Sequence, residues 1–207
     1  MIRVPRAEQK IQTRSRLIGA AGRLFLAHGV EGVSLDAVAE AAGFSKGAVY
    51  ANFTGKEDLL LAVWREHFAA KRTRLADAVA GADDVAAVLG AIHAAMTSFF
   101  AAGPWALLQA EVRRRSADWP RLAAELAALE AEELTEMKAL VSGFLQRFAA
   151  GSAPDPAEMT ETLAALFDGL VLRSAVAPVA PGQLADRFMS VVIALAGLDR
   201  RGAGASR

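Results

Sequence analysis

Residues 34–53, with the sequence SLDAVAEAAGFSKGAVYANF, constrain the fold more than any other stretch of the chain. Apolar residues recur at helical spacing over residues 35–42, which predicts a short helix with one buried face. Ser34 can accept a backbone N–H at the start of this helix, and Gly43 can adopt the left-handed conformation that ends it. Ser45 stands in the same relation to a second short helix. Two helices joined by a tight turn with glycine are typical of the helix-turn-helix, whose second helix enters the major groove of DNA.

The charge distribution supports a DNA-facing role for the first part of the chain. The whole chain has 23 basic and 23 acidic residues, so its net charge of zero does not itself indicate nucleic acid. Residues 1–30, however, carry six basic residues and one acidic residue, a local charge of 6 − 1 = +5. A basic segment ahead of a helix-turn-helix is typical of phosphate contact, and we expect Arg14 and its neighbours to face DNA. A solvated, disordered terminus is the alternative, and we expect it at residues 1–7 and at 201–207.

The predicted second helix and its surroundings carry side chains suited to DNA. Tyr50, the only tyrosine, can pack its ring on a sugar and donate to a phosphate, or lie partly buried. Lys46 can meet a phosphate or a guanine, and Gly47 allows close approach of the backbone. Asn52 can bond to adenine or reach a phosphate. Lys56 joins a cation to the free backbone donors at the start of the next helix, which suits a phosphate.

Three features occur together in this part of the chain: the sequence GFSKGAVY at residues 43–50, the apolar spacing of residues 17–25 before it, and Lys-Glu-Asp-Leu at 56–59 after it. Together they resemble the DNA-binding domain of the TetR family of one-component transcriptional regulators. The resemblance covers residues 12–72. It favours a phosphate contact for Tyr50. Asn52 departs from the family, which more often has histidine there, so no operator sequence can be carried over. The predicted DNA-binding set is Arg14, Ser34, Ser45, Lys46, Gly47, Tyr50, Asn52 and Lys56.

The rest of the chain predicts an all-α fold, because no run alternates with the period of two that strands require. A first helix is expected over residues 8–28. Thr54 and Glu57 have the spacing of a capping box at the start of a fourth helix that runs to about residue 80. Further helices are expected from residue 85 to about 102 and from Pro104, Pro120, Pro156 and Pro181. The resemblance divides this chain into a DNA-binding domain at 12–72, with its motif at about 35–54, and an effector-binding and dimerisation domain at 73–200.

The last two predicted helices each carry an apolar stripe. Within one chain such a stripe is usually core, but the TetR resemblance implies that these helices pair with their copies in a second subunit. A dimer also explains how two recognition helices would read a palindromic site. The predicted interface is Leu163, Phe167, Leu170, Leu184, Phe188, Val191, Val192 and Leu195.

The resemblance also implies a small-molecule effector that binds in the second domain and weakens operator affinity. Aromatic residues and methionine at helical spacing are more often core than pocket wall, but together they suggest a mostly apolar ligand. Arg173 interrupts an apolar face and can pair with an acid or meet the polar end of the ligand. The predicted ligand-binding set is Met96, Phe99, Phe100, Trp105, Leu108, Phe144, Phe148, Phe167 and Arg173.

A membrane span is the competing interpretation of one segment. Residues 85–110 form a run of 26 without Asp, Glu, Lys or Arg, which is long enough to cross a bilayer. Gly103 and Pro104 break this run, and His93 and Gln109 dilute it, so we expect two buried core helices and no membrane association. The chain has no cysteine, which excludes thiolate ligands and a cysteine nucleophile and suits a reducing cytoplasm.

An enzyme is a further alternative, and the motifs do not favour it. The three histidines are far apart, and the chain contains no HExxH, no phosphate-binding loop, no GxGxxG and no GxSxG. We therefore expect no catalysis, no metal and no cofactor. The sequence predicts a cytoplasmic DNA-binding regulator, and the TetR resemblance implies that it is a homodimeric repressor that responds to a ligand. The alternative is a helical ligand-binding or protein-interaction module that does not bind specific DNA.

Overall fold

The computed structural model describes residues 5–81, 84–101, 105–114, 117–149 and 154–198. Over these ranges the chain is all-α, as predicted, with nine helices and no strand. The helices are α1 (Arg6–His28), α2 (Leu35–Ala42), α3 (Lys46–Tyr50), α4 (Lys56–Ala80), α5 (Val85–Ala101), α6 (Trp105–Arg114), α7 (Pro120–Phe148), α8 (Pro156–Val176) and α9 (Pro181–Leu195).

Most helix boundaries lie within two residues of the predicted ones, because proline and capping residues mark them. Asp155 accepts a hydrogen bond from the Ala157 N–H at 2.8 Å, and Pro156 is the first residue of α8. The disorder predicted for residues 1–7 extends too far, since α1 begins at Arg6. Residues 1–4 and 201–207, together with Pro104, lie outside the described residues.

The chain divides into two compact units, and their limits differ from the predicted ones. Unit 1 consists of Met1–Phe68 and Leu107–Ala128, and unit 2 of Ala69–Ala106 and Leu129–Arg207. The difference from the predicted limits of 12–72 and 73–200 has a physical cause in α6. The Glu111 carboxylate on this helix accepts a hydrogen bond from the Val30 N–H at 3.2 Å.

The core of unit 1 joins α1 to the two helices that follow it. Contacts link α1 to α2 and α2 to α3. The largest fully buried side chains of this unit lie on α1, the turn after α1, the helix-turn-helix, the first turns of α4, and on α6 and α7: Leu17, Phe25, Val30, Val38, Val49, Phe53, Leu59, Leu60, Trp64, Val112 and Leu122. Burial of this many large apolar side chains is the main stabilising term for so small a unit.

The turn of the helix-turn-helix has the predicted geometry. The Ser34 hydroxyl accepts the Ala37 N–H at 3.1 Å, and the Ser45 hydroxyl accepts the Ala48 N–H at 3.3 Å. Gly43 has φ 72° and ψ 35°, a left-handed conformation that costs other residues steric energy. The predicted motif is therefore confirmed as two capped helices with glycine between them.

The cap of α4 differs from the predicted one. Asp58, not Glu57, accepts the Thr54 N–H at 2.9 Å and the Thr54 hydroxyl at 3.3 Å. The reason is that the Gly55 carbonyl accepts the first bond of the helix, from the Leu59 N–H at 3.1 Å. Gly55 is thus the capping position, and the residue three further on is Asp58.

Unit 2 is built around the packing of α5 on α9, with α8 also against α9. Its core contains Val88, Met96, Leu184, Phe188 and Val192, among others. His93 on α5 and Asp186 on α9 lie 2.9 Å apart between ring Nε2 and Oδ1. Among the described residues, no helix combines the length and the apolar character that a membrane crossing requires.

Substitution of Gly43 by alanine tests the turn. We expect Gly43→Ala to lower the free energy of unfolding by about 1 kcal/mol, because φ 72° is unfavourable for alanine. Gly47→Ala is the matched control. It should raise stability by up to about 1 kcal/mol, since Gly47 is helical and an added Cβ meets only Ser45 Oγ at 3.8 Å. Urea unfolding would measure both, and equal effects would contradict the role of Gly43.

Candidate DNA-binding site

The helix-turn-helix presents an exposed face built from five of the eight predicted residues. Tyr50 is 61% exposed, although large aromatic side chains are usually buried. Lys46 and Gly47 precede it on α3 and are also exposed, as are the capping residues Ser34 and Ser45. We call Ser34, Ser45, Lys46, Gly47 and Tyr50 the recognition face.

Gly47 has no structural requirement within the protein. Its φ is not positive, and the nearest atom to an added Cβ is Ser45 Oγ at 3.8 Å, which is ordinary contact. Glycine in a helix costs about 1 kcal/mol relative to alanine. Gly47 therefore costs stability and has no role in packing within the protein, which agrees with the prediction that it allows DNA to approach the backbone closely.

Lys46 pairs with Asp36 on α2 within this face. Both side chains are exposed, and the hydrogen bond to the Asp36 carboxylate raises the pKa of Lys46. The lysine is therefore cationic at neutral pH. It reaches a phosphate only by exchanging the aspartate for it.

The guanidinium of Arg14 makes contacts within the protein. Arg14 Nη1 donates to the Asn52 carbonyl at 2.9 Å, and the guanidinium carbon lies 4.4 Å from the centre of the Phe53 ring. The side chain is half-buried. A cation near the end of a helix and over an aromatic ring is favourable on both counts, so these contacts stabilise the segment after α3. The DNA contact of Arg14 stays a prediction.

Arg16 makes the equivalent contact at the end of α2, and the sequence analysis did not single it out. Arg16 Nη2 donates to the Ala42 carbonyl at 3.0 Å, and its guanidinium carbon lies 4.7 Å from the centre of the Phe44 ring. The signal was present in the sequence as arginines two residues apart on α1 and an aromatic residue after each short helix. We call Arg14 and Arg16, with their carbonyl and ring partners, the arginine clamps.

Asn52, another residue of the predicted DNA-binding set, also bonds within the protein. It lies two residues after the end of α3, is half-buried, and its Nδ2 donates to the Ala48 carbonyl at 2.8 Å. Its Oδ1 is buried and has no hydrogen-bond partner among the described residues. The amide is directed into the protein, so it does not offer the paired donor and acceptor that adenine requires. Lys56 opens α4, as predicted, with Nζ 3.5 Å from the Glu31 carbonyl.

Unit 2 contains a second candidate site, an apolar cavity of about 110 Å³. Three of the nine predicted ligand residues line it: Met96, Phe144 and Phe167. The other six do not. Three of them are aromatic residues that pack elsewhere in unit 2: Phe99 is buried beside Arg74, Phe100 stacks on Phe167, and Phe148 packs on Phe144. Leu108 is in the core of unit 1. Trp105 is half-buried, and Arg173 is exposed. Their helical spacing could not distinguish cavity wall from solid core.

Lys71 and Thr160 are the polar residues of this cavity wall, and the sequence analysis missed both. Lys71 Nζ lies 4.0 Å from Glu133 Oε1 and 5.0 Å from the centre of the Phe167 ring. Burial lowers the pKa of Lys71, and the nearby Glu133 opposes that shift. Burial likewise raises the pKa of Glu133. Charged residues on long helices gave no sequence signal, because only the fold turns them inward.

The predicted dimer residues are mostly core residues of unit 2. Leu170, Leu184, Phe188 and Val192 are no more than 8% exposed, and Leu163 and Phe167 pack against the same core. Val191 and Leu195 are half-buried. The apolar stripes face inward, because the same periodicity serves the core of one chain as well as an interface between two. Among the described residues, no group of three or more His, Asp or Glu side chains is placed to hold a metal ion.

The fold and the recognition face define a helix-turn-helix protein with a second helical unit. Residues 17–63 match the family model for bacterial regulatory proteins, tetR family. This part of the chain is therefore similar to the DNA-binding domain of the tetR family. The residues that carried the resemblance, around Gly43–Tyr50 and Lys56–Leu59, lie inside this match.

Relatives with curated names agree with this family and match the same part of the chain. An uncharacterized HTH-type transcriptional regulator, TtgW of Pseudomonas putida, is 48% identical over 63 residues, which are 30% of this chain and 46% of the relative. The HTH-type transcriptional repressor AcnR of Corynebacterium efficiens is 36% identical over 63 residues, 30% of this chain and 34% of the relative. The chain thus spans less than half the length of the curated relatives it matches. Both names are those of regulators and not of enzymes, in agreement with the expectation above.

Solved structures extend the similarity of fold to the whole chain. The fatty acid degradation regulator FadR from Bacillus halodurans has a TM-score of 0.72 at 19% identity and covers 97% of this chain and 99% of its own. FadR from Bacillus subtilis, in complex with stearoyl-CoA, has a TM-score of 0.66 at 15% identity and covers 87% and 98%. At this identity the comparison establishes the fold alone.

Removal of Arg14 tests the structural role of the arginine clamps. Arg14→Ala should lower the free energy of unfolding by about 1–2 kcal/mol, because a charge-assisted hydrogen bond and a cation–π contact are lost. Arg23→Ala, an exposed arginine on the same helix, is the control and should change stability by less than about 0.5 kcal/mol. Thermal unfolding of both variants measures this. Equal stability of the two variants would contradict a structural role for Arg14 and would leave contact with DNA as its predicted role.

Proposed function

We propose that the protein is a sequence-specific DNA-binding transcriptional regulator, a repressor released from a palindromic operator by a small, mostly apolar ligand. The observation that carries the proposal is the recognition face. Tyr50 is exposed, and Gly47 leaves the backbone of α3 open to close approach. The match of residues 17–63 to the tetR family model supports the same conclusion, as does the name of AcnR as a repressor. A regulator of this kind acts on chromosomal DNA, so the proposal includes a cytoplasmic location.

Phosphate contacts in this proposal come from Tyr50, Lys46 and Lys56. The Tyr50 hydroxyl donates to a phosphate while its ring packs on a sugar. Lys46 exchanges Asp36 for a phosphate, and Lys56 adds a cation at the first residue of α4. Arg14 and Asn52 support this set from behind by holding the end of α3.

A homodimer is the second part of the proposal, and an exposed stripe on α8 supports it. Thr162, Ala165, Gly169, Leu172 and Val176 follow one another at intervals of three and four residues and are all exposed. Leu172 is 41% and Val176 89% exposed, which is unusual for large aliphatic side chains. Small residues beside them allow a second helix to approach closely. We call these five residues the α8 stripe and assign the dimer contact to it, with Val191 and Ala194 of α9 beside it.

The cavity of unit 2 is the proposed effector site. Fourteen of its sixteen lining residues are apolar, which suits a mostly apolar ligand. Bacillus subtilis FadR, which shares the fold, holds stearoyl-CoA in its structure. For the ligand to release DNA, it must bind more tightly to the conformation that the operator disfavours.

One experiment distinguishes the proposed regulator from the alternative, an interaction module that does not bind specific DNA. Genomic fragments are selected with the purified protein at about 0.15 M salt, because affinities depend strongly on salt. Recovery of one palindromic site supports the proposal. Recovery of fragments without a common sequence, through binding that salt removes, would favour the interaction module.

Gly47→Ala tests the close approach of α3 to DNA. The added methyl group should weaken operator binding by at least about tenfold, since a steric displacement lengthens several phosphate contacts at once. Gly90→Ala, at another helical glycine with open space, is the control and should leave binding unchanged. Fluorescence anisotropy with the selected site measures both. Full operator affinity in Gly47→Ala would remove the main support for the recognition face.

Gly169→Arg tests the dimer contact of the α8 stripe. Nothing lies within 4 Å of an added Cβ at Gly169, so arginine fits within one chain but should obstruct a second copy. We expect a shift from dimer to monomer by light scattering at micromolar concentration. Gly90→Arg, where the surrounding space is equally open, is the matched control and should remain dimeric. If both variants remain dimeric, the interface lies elsewhere.

A further inference from the structure

The wall of the cavity in unit 2 carries a single charged group among the described residues that line it. Lys71 contributes the charge, and Thr160 contributes the one other polar side chain. The Thr160 hydroxyl, which is 2% exposed, donates to the Pro156 carbonyl at 2.6 Å. The hydroxyl proton of Thr160 is therefore already used in a hydrogen bond within α8. Lys71 is the group on this wall with donors to offer a ligand.

The Lys71 ammonium has donors to offer a ligand. The side chain is partly buried, with 22% of its surface exposed, and it has three N–H donors. Its contacts with described residues are Glu133 Oε1 at 4.0 Å and the face of Phe167 at 5.0 Å. An acceptor on a bound molecule can therefore take a hydrogen bond from Nζ.

The position of the charges, with the cation on the cavity wall and the acids away from it, favours an anion at this position. Glu133 is also 4.0 Å from Arg72 Nη1, so two cations share its charge, and Glu136 pairs with Arg72 as well. Asp168 adds a weaker attraction on Lys71. None of these carboxylates lines the cavity, whereas Lys71 does. A ligand therefore meets the ammonium first and the acids only behind it.

The size of the cavity limits the ligand. An apolar cavity of about 150 Å³ in another protein is known to hold benzene. At about 110 Å³, the present cavity takes an apolar body of similar or slightly smaller size without rearrangement. One lining residue, Ala164, is exposed, so the cavity reaches the protein surface and a longer chain can extend outward.

We propose that the cavity binds a small apolar carboxylic acid, whose carboxylate accepts hydrogen bonds from Lys71 Nζ and whose hydrocarbon body packs against Met96, Phe144 and Phe167. This inference rests on the proposed function, because it specifies the chemical class of the effector. It also gives Lys71 a positioning role, since the ammonium orients the acid within an otherwise apolar wall.

Calorimetric titration of the full chain with three probes of equal length tests the proposal. The probes are hexanoate, 1-hexanol and hexylamine, which differ in the charge of one end. Hexanoate should bind at least about tenfold more tightly than the other two, the difference expected for a charge-assisted hydrogen bond. Lys71→Met should abolish this preference and retain 1-hexanol binding, which shows that the cavity is intact. Lys71→Arg, which retains the charge, should keep the preference for hexanoate.

Lys138→Met is the control for loss of a lysine, because Lys138 is exposed on α7 and lies outside the cavity wall. It should bind hexanoate as the unmodified chain does. Equal affinity for hexanoate and 1-hexanol would overturn the proposal, as would tightest binding of hexylamine or no binding of any probe. Operator binding without a probe is measured in parallel. Intact operator binding with no preference for hexanoate defeats this inference alone, whereas loss of operator binding by the unmodified chain defeats the proposed function.

Discussion

The arginine clamps are the interactions on which the geometry of the DNA-binding unit depends. A carbonyl at the end of α2 and a carbonyl two residues after α3 each accept a hydrogen bond from an arginine of α1, and each short helix is followed by an aromatic ring under the same guanidinium. Helices of eight and five residues are too short to be stable alone, so their orientation must come from outside. Arg14 and Arg16 supply it from a single longer helix. The basic residues of α1, which the charge distribution alone suggests as DNA contacts, thereby stabilise the geometry of the recognition face.

The second unit follows a different principle, in which charge is placed inside an apolar core. Lys71 and Glu133 remain 4.0 Å apart, with the burial of each opposing its charged form. Such a pair contributes little to stability, because desolvation offsets the attraction between the charges. Its presence on and behind a cavity wall is better explained by recognition than by folding.

The two faces of α8 illustrate how far a periodic pattern can be interpreted. The stripe that includes Leu163, Phe167 and Leu170 is the more apolar one, and it packs into the core of its own unit. The opposite stripe mixes small residues with Leu172 and Val176, and it is the exposed one. The more hydrophobic of the two stripes is therefore not the one available for an interface, because burial of the most apolar side chains in the core is the most favourable arrangement. The proposed dimer contact therefore falls on the less apolar stripe, which the core leaves exposed.

The sequence by itself determined the helix-turn-helix, because its signals are local: Ser34 and Ser45 cap, Gly43 turns, and apolar residues recur every three or four positions. It also determined most helix limits and the exposure of Tyr50 and Gly47. Only the tertiary structure decided that Arg14 and Asn52 bond within the protein, that residues 107–128 join the first unit, and that Lys71 lines a cavity. These outcomes depend on groups that lie far apart in the chain, such as Arg14 and Asn52 or Lys71 and Glu133. Local spacing carries no information about which distant partner a side chain meets, since that is decided by packing.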